Sequence, residues 1–175
     1  LQLYVWCLDH YPWTSHPSHI HLWVDFVFED TQLVGTKSTS YALITAQTCS
    51  DDQNCYSHAF LWHRENIVLD GPPFSSVWIK LDTVYIPDLQ LGILDSITRQ
   101  YILLFGSNNQ IKVKESRISI DEIYHVDTVF VISTAKHAKF VSKIDSKIYK
   151  QSPILELIQD CFTKQIEIEK LNEFK

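Results

Sequence analysis

RQYILLFGSNNQIKVKE, residues 99–115, decides how this chain is read. RQYILLF (99–105) and QIKVKE (110–115) flank GSNN, a cluster of turn-forming residues. Two apolar or β-branched stretches around such a turn predict a β-hairpin. A hairpin here makes the whole central chain a succession of strands.

The upstream sequence agrees with that reading. In HIHLWVDFVFE, residues 19–29, Ile20, Leu22, Val24, Phe26 and Phe28 share one face, and His19, His21, Trp23, Asp25, Val27 and Glu29 the other. Period two predicts a half-buried strand. SYALITAQTC (40–49), SHAFLWHR (57–64) and VWIKLDTVYI (77–86) predict three more, separated by Gly-, Pro-, Ser- and Asn-rich turns. In 77–86, Val77, Ile79, Leu81, Thr83 and Tyr85 fall on one face. Downstream the pattern changes. Residues 118–133 fit either a strand or a helix start. Lys136, Lys139, Lys143, Lys147 and Lys150 recur at helical spacing. Ser152-Pro153 is a helix N-cap followed by N1. Ile154, Leu155, Ile158, Cys161, Phe162 and Ile166 then form an apolar stripe, predicting an amphipathic helix over about 153–172. The expected architecture is mainly β with a C-terminal helix. It has an irregular lead-in (1–18), a small OB-like β-barrel (19–116) and a C-terminal extension (117–175), all one domain.

Composition narrows the function. The chain has 175 residues, 45% hydrophobic and 13% aromatic, which is globular and large enough to bury a core. No apolar run is long enough to span a membrane. A start at Leu1 and the lack of Met lead to the expectation that the chain was cut from a longer protein, or processed. Net charge is −6. Residues 1–109 carry four Lys/Arg (Lys37, Arg64, Lys80, Arg99) against eleven Asp/Glu, a poor surface for phosphates. Cys7, Cys49, Cys55 and Cys161 match no common zinc spacing and are expected as thiols.

Chemistry-bearing patterns are sparse. Walker A, G-x-G-x-x-G, H-E-x-x-H and G-x-S-x-G are all absent. No catalytic residue, cofactor or metal is expected. The one cluster that invites a metal is DHYPWTSHPSHIHLW (9–23). His19 and His21 share a strand face, with Cα atoms roughly 6.6 Å apart. Zinc needs a third ligand, which the sequence does not place. Outer-face histidines beside Trp23 are the simpler reading.

The succession of strands resembles the OB-fold family. The carrying segments are VWIKLDTV (77–84), of the form V-x-I-K-x-x-x-V, and the polar closing segment QIKVKES (110–116). With VDTVFVIST and the terminal helix, the chain is similar to OB modules of the large subunit of yeast's RPA-like telomere-capping assembly. That resemblance implies a non-catalytic module for protein–protein assembly at a chromosome end, in the nucleus. Partners would be other subunits of that assembly or a second copy of the chain. The expected contact residues are His21, Trp23 and Val27 on the first strand and Leu157, Phe162 and Ile166 on the last helix. Direct single-stranded DNA binding through Trp62, Trp78, Tyr85, Lys112 and Lys114 is a second reading. A metal-dependent enzyme built on His19 and His21 is a third.

Overall fold

The computed structural model describes residues 18–27, 35, 58–63, 65–71, 74–134 and 137–173. Strand β1 is Ser18–Val27 and β2 is His58–His63, followed by the short β3, Ile67–Val68. Next come β4, Ser75–Lys80, and β5, Thr83–Pro87. Helix α1, Ile97–Asn109, precedes β6, Val113–Ser116. The one-turn helix α2, Ile120–Ile123, leads into β7, Thr128–Ser133, β8, His137–Ile144, and β9, Lys147–Ile148. Helix α3, Pro153–Glu173, closes the order. The expected strand at 40–49 lies outside the described residues.

Among the described residues the strands form one sheet in the order β3-β2-β1-β8-β7-β4-β5-β6, with β9 paired to β8. It is mixed: β1–β2, β1–β8 and β5–β6 are parallel, whereas β4–β5, β4–β7 and β7–β8 are antiparallel. Its two ends, β3 and β6, do not pair with each other. The sheet is therefore open, and the expected small closed barrel is incorrect. Residues 117–175 supply β7 and β8, the middle of this sheet.

The error begins at 99–115. This stretch is not a hairpin. Ser96 caps α1 through its side chain, which accepts from the Arg99 N–H. Thr98, Arg99, Ile102, Phe105 and Gly106 then turn one face inward at three- and four-residue intervals. GSNN is the last turn of the helix, and Gln110 ends it in the left-handed conformation (φ 56°). A Cβ on Gly106 would stand 2.2 Å from Val113 Cγ2 and 2.8 Å from the Ile111 carbonyl oxygen. Only glycine lets the helix and β6 approach this closely.

The converse error lies at 77–86. This is not one strand but the hairpin β4–β5. Leu81 and Asp82 both take positive φ (49° and 59°), the conformation of a type I′ two-residue turn. Asn-Gly is the familiar sequence there, so Leu-Asp gave no turn signal. The Leu81 N–H donates to Asp127 Oδ2 at 2.8 Å, which helps fix the turn. The lysine series 136–150 is not helical where the structure describes it. Lys139 and Lys143 ride on β8, and Lys147 on β9. Residues 118–133 contain both candidates: α2, opened by a Ser119/Glu122 capping box, and then β7.

Two apolar layers cover the sheet. On one face Val77, Ile79, Val84, Ile86, Phe130 and Ile132 pack against Ile102 and Phe105 of α1 and Leu155, Ile158 and Phe162 of α3. On the other, Phe60, Trp78, Val129, Val131 and Val141 pack with Ile118, Ile123, Val126 and Tyr149. The period-two alternation of β4 and β7 supplies both layers at once. At its N-terminal end β4 departs from this apolar pattern: Ser75 and Ser76 place buried hydroxyls beside the start of α1.

Candidate active site

Five polar side chains are buried among the described residues: Ser75, Ser76, Thr98, Arg99 and Thr128. Four of them converge at one end of the sheet, where the N-terminus of α1 meets the start of β4. Buried polar groups are costly unless partnered, so their clustering marks a site.

Asp70 anchors one side. It lies deep in the protein yet keeps part of its surface accessible. The Ser76 N–H donates to its Oδ1 at 2.8 Å, and the Ser76 hydroxyl at 3.3 Å. Burial pushes the Asp70 carboxyl up to about 6, from an ordinary 3.8. The bonds from Ser76 and Ser75 and the positive charge of Arg99 pull the other way. From Ser75 the run continues to Ser96, with 3.0 Å between the two hydroxyl oxygens, and then to Thr98 Oγ1 at 3.2 Å.

The first turn of α1 forms the other side. Its cap uses the N–H of Arg99, donated to Ser96 Oγ at 3.1 Å. The N–H groups of Ile97 and Thr98 precede the first intrahelical bond and have no acceptor among the described residues. With the helix dipole they form a cradle for an anion. Ile97 is largely exposed and Thr98 buried, so the turn is wet outside and packed inside. The β4–β7 register sets Ser75 opposite Ile132. Ser133 and the exposed Thr134 therefore continue β7 into the same end of the sheet. Gly35 reaches it too. With φ at +75°, it lies so that an added Cβ would stand 3.4 Å from the Ile93 carbonyl oxygen, in the loop entering α1.

Arg99 closes the site from behind. It is fully buried, and its guanidinium donates through the Nη1 atom to Asp95 at 3.0 Å and through Nη2 to Glu115. Its Nε–H is buried with no acceptor.

The residues singled out in sequence lie elsewhere. His19, His21, Trp23 and Val27 are on β1, which is flanked on both sides by β2 and β8. Their side chains, and those of Trp62 and Ile166, are outside the described residues. Phe162 is buried against Tyr101, ring centroids 4.4 Å apart, and so belongs to the core. Leu157 is exposed. Trp78 is buried and stacked on Tyr85 at 6.3 Å, and Lys112 and Lys114 are exposed near β6. None of the described side chains among these lies in the polar cluster. Sequence reasoning missed Asp70, Ser75, Ser76, Ser96, Thr98 and Arg99. The available signal was Ser96 as an N-cap three residues before Arg99, hidden once 99–105 was read as a strand.

Comparison with known proteins agrees with the open fold. The family model for amino-transferase class IV matches residues 5–144, four-fifths of the chain. The chain belongs to the class IV aminotransferase family. It is 30% identical over 108 residues to D-alanine aminotransferase of Staphylococcus haemolyticus, covering 60% of this chain and 38% of that protein. A putative 4-amino-4-deoxychorismate lyase from Legionella pneumophila superposes with a TM-score of 0.79 at 19% identity, covering 93% of this chain and 59% of that one. The Escherichia coli branched-chain amino acid aminotransferase superposes at 0.78 with 19% identity, covering 88% and 54%. The chain thus spans between about two-fifths and three-fifths of the length of these relatives. The telomere-complex resemblance, the non-enzymatic assembly role and its partners are overturned by this membership. So are the nucleic-acid and metal-enzyme alternatives. The nuclear, chromosome-end location falls with them, the relatives being bacterial aminotransferases.

Proposed function

We propose that this chain carries the cofactor site of a pyridoxal-phosphate-dependent aminotransferase that acts on a small amino acid. One observation carries the reading. A deep but accessible carboxylate, Asp70, is held by Ser76, and the neighbouring Ser75 hydroxyl contacts the Ser96 cap of a helix whose first two N–H groups have no acceptor among the described residues. A phosphorylated pyridine needs these two features, one at each end. The N–H groups of Ile97 and Thr98 would hold the phosphate. Asp70 would face the ring nitrogen and keep it protonated. Hydroxyls of Ser133 and Thr134 stand at the same end of the sheet to complete the anion cradle. The cofactor supplies an aldehyde for the substrate's amino group and a ring that accepts the electron pair when the Cα–H bond breaks.

Such chemistry also needs a lysine amine to hold the cofactor and carry the proton. We assign it to Lys37 on chain position: it follows Gly35 by two residues, and two residues reach at most about 7 Å. Lys37 itself lies outside the described residues. D-Alanine and branched-chain amino acids are the substrate classes suggested by the relatives' names.

The test is a titration of the chain with pyridoxal 5′-phosphate, followed by assay with D-alanine or a branched-chain amino acid and a 2-oxo acid. Saturable visible absorbance, amino transfer to the oxo acid and loss of transfer in Lys37→Ala support the proposal. Absence of cofactor binding refutes it. Release of pyruvate or ammonia without transfer to the oxo acid would assign lyase chemistry instead.

A further inference from the structure

The cradle at the start of α1 has a competitor in its own chain. Asp95 stands immediately before the Ser96 cap, and the Ile97 N–H lies two residues beyond it. An aspartate readily accepts from the backbone N–H two residues on, closing a local turn. The same loop contains such a bond: Asp88 Oδ1 accepts from the Gln90 N–H at 2.9 Å. A carboxylate so placed before α1 would occupy the Ile97 N–H. It would also set a negative charge against any anion in the cradle. About half of the Asp95 side chain is exposed, so packing alone does not fix it.

Asp95 does not make that turn. Its two oxygens are turned to side chains about one turn further along the helix. Oδ1 accepts from Arg99 Nη1 at 3.0 Å, and Oδ2 from Gln100 Nε2 at 3.0 Å. Ser96, not Asp95, caps the helix, through the Arg99 N–H. The N–H groups of Ile97 and Thr98 are left without an acceptor among the described residues. Arg99 is suited to this hold. It is the one charged residue buried among the described residues, and Glu115 on β6 accepts from its other terminal nitrogen. Its guanidinium is thus fixed between two carboxylates, and its charge offsets that of Asp95 close to the cradle. Gln100 adds a neutral donor from the exposed side of α1. We propose that Arg99 and Gln100 are positioning residues that hold the Asp95 carboxylate off the helix N-terminus, keeping the Ile97 and Thr98 N–H groups open to a phosphate. The purpose of this hold rests on the proposed cofactor site. A purely structural clamp, in which Asp95 and Arg99 together brace α1, has the opposite consequence for Asp95: its removal would weaken anion binding.

The experiment titrates the chain and its variants with two probes. Pyridoxal 5′-phosphate is read by absorbance, and inorganic phosphate by the amide chemical shifts of Ile97 and Thr98. Asp95→Ala should bind both anions at least as tightly as the parent. Arg99→Met should bind them about tenfold more weakly, and adding Asp95→Ala to it should restore affinity to within about twofold of the parent. The deficit of Arg99→Met should shrink at high salt, where the freed carboxylate is screened. Gln100→Ala, at an exposed helix position, should lose about twofold to threefold, a loss that Asp95→Ala also reverses. It decides the matter if Arg99→Met does not fold. Weaker binding in Asp95→Ala, or no recovery in the double variants, overturns the inference. Inorganic phosphate carries no ring, so the two claims separate. If it binds at Ile97 and Thr98 with this order of affinities while pyridoxal 5′-phosphate does not bind, the cofactor reading falls and the inference stands. If pyridoxal 5′-phosphate binds the parent and every variant alike, the inference falls and the cofactor reading stands. If neither anion binds the parent, both fall.

Discussion

Asp70 carries an opposition between stability and function. Its carboxyl is pushed up to about 6 by burial, so the folded chain binds its proton more tightly than the unfolded chain, where 3.8 applies. The stabilisation is present in full below 3.8 and is lost as pH rises through 6. Above 6 the ionised, buried group costs on the order of 3 kcal/mol. Asp70→Asn removes that cost and keeps an acceptor for the Ser76 N–H. Its cofactor-free form is therefore expected to unfold at higher temperature than the parent at pH 7.5, with the difference vanishing near pH 4. The same substitution removes the partner of a protonated ring nitrogen, so affinity for pyridoxal 5′-phosphate should fall at least tenfold. Calorimetry across pH and a binding titration check the two halves separately. None of this was legible in sequence, where Asp70-Gly71 stands before two prolines and looks like an ordinary turn.

Elements were legible where local chemistry and tertiary packing agree. Alternation in 19–29 marks β1, and Ser152-Pro153 with its apolar stripe marks α3. Where they disagree, packing wins. α1 has few charges and an apolar, β-branched start, so its outer residues Ile97 and Leu104 imitate a strand. At 77–86 the turn is made by two residues in a conformation that costs L side chains about 1–2 kcal/mol each. The double substitution Leu81→Asn with Asp82→Gly matches that backbone. It should raise the chain's stability by about 1 kcal/mol, read as a melting shift of about 2–4 °C. A decrease would show that Leu81, though exposed, contributes packing not visible in the hairpin. The helix face gives another contrast. Phe162→Ala should destabilise the chain by about 3–5 kcal/mol in urea unfolding, as removal of a core aromatic does. Leu157→Ala should stay within about 0.5 kcal/mol. Equal effects would contradict the packing of α3 on Tyr101 and Phe130's face of the sheet.

At the scale of the molecule, one misread element changed the fold class. With 99–115 as a hairpin, the strands number enough to close a barrel. With it as a helix, α1 becomes the connection between the parallel pair β5 and β6, and the strands form an open mixed sheet. The site then appears where the helix N-terminus meets the strand ends, a position common in α/β folds. No Gly-rich motif announces it, because the cradle uses a serine-capped helix start and a carboxylate from a separate loop. Of the histidine-rich stretch that drew attention, residues 18–23 lie on β1, and it contributes no described side chain to this site. The most direct test is a crystal structure of the chain grown with pyridoxal 5′-phosphate. The phosphate is expected on the N–H groups of Ile97 and Thr98, and the ring nitrogen within hydrogen-bond distance of Asp70. A cofactor bound elsewhere, with Asp70 still turned only to Ser75 and Ser76, would contradict it.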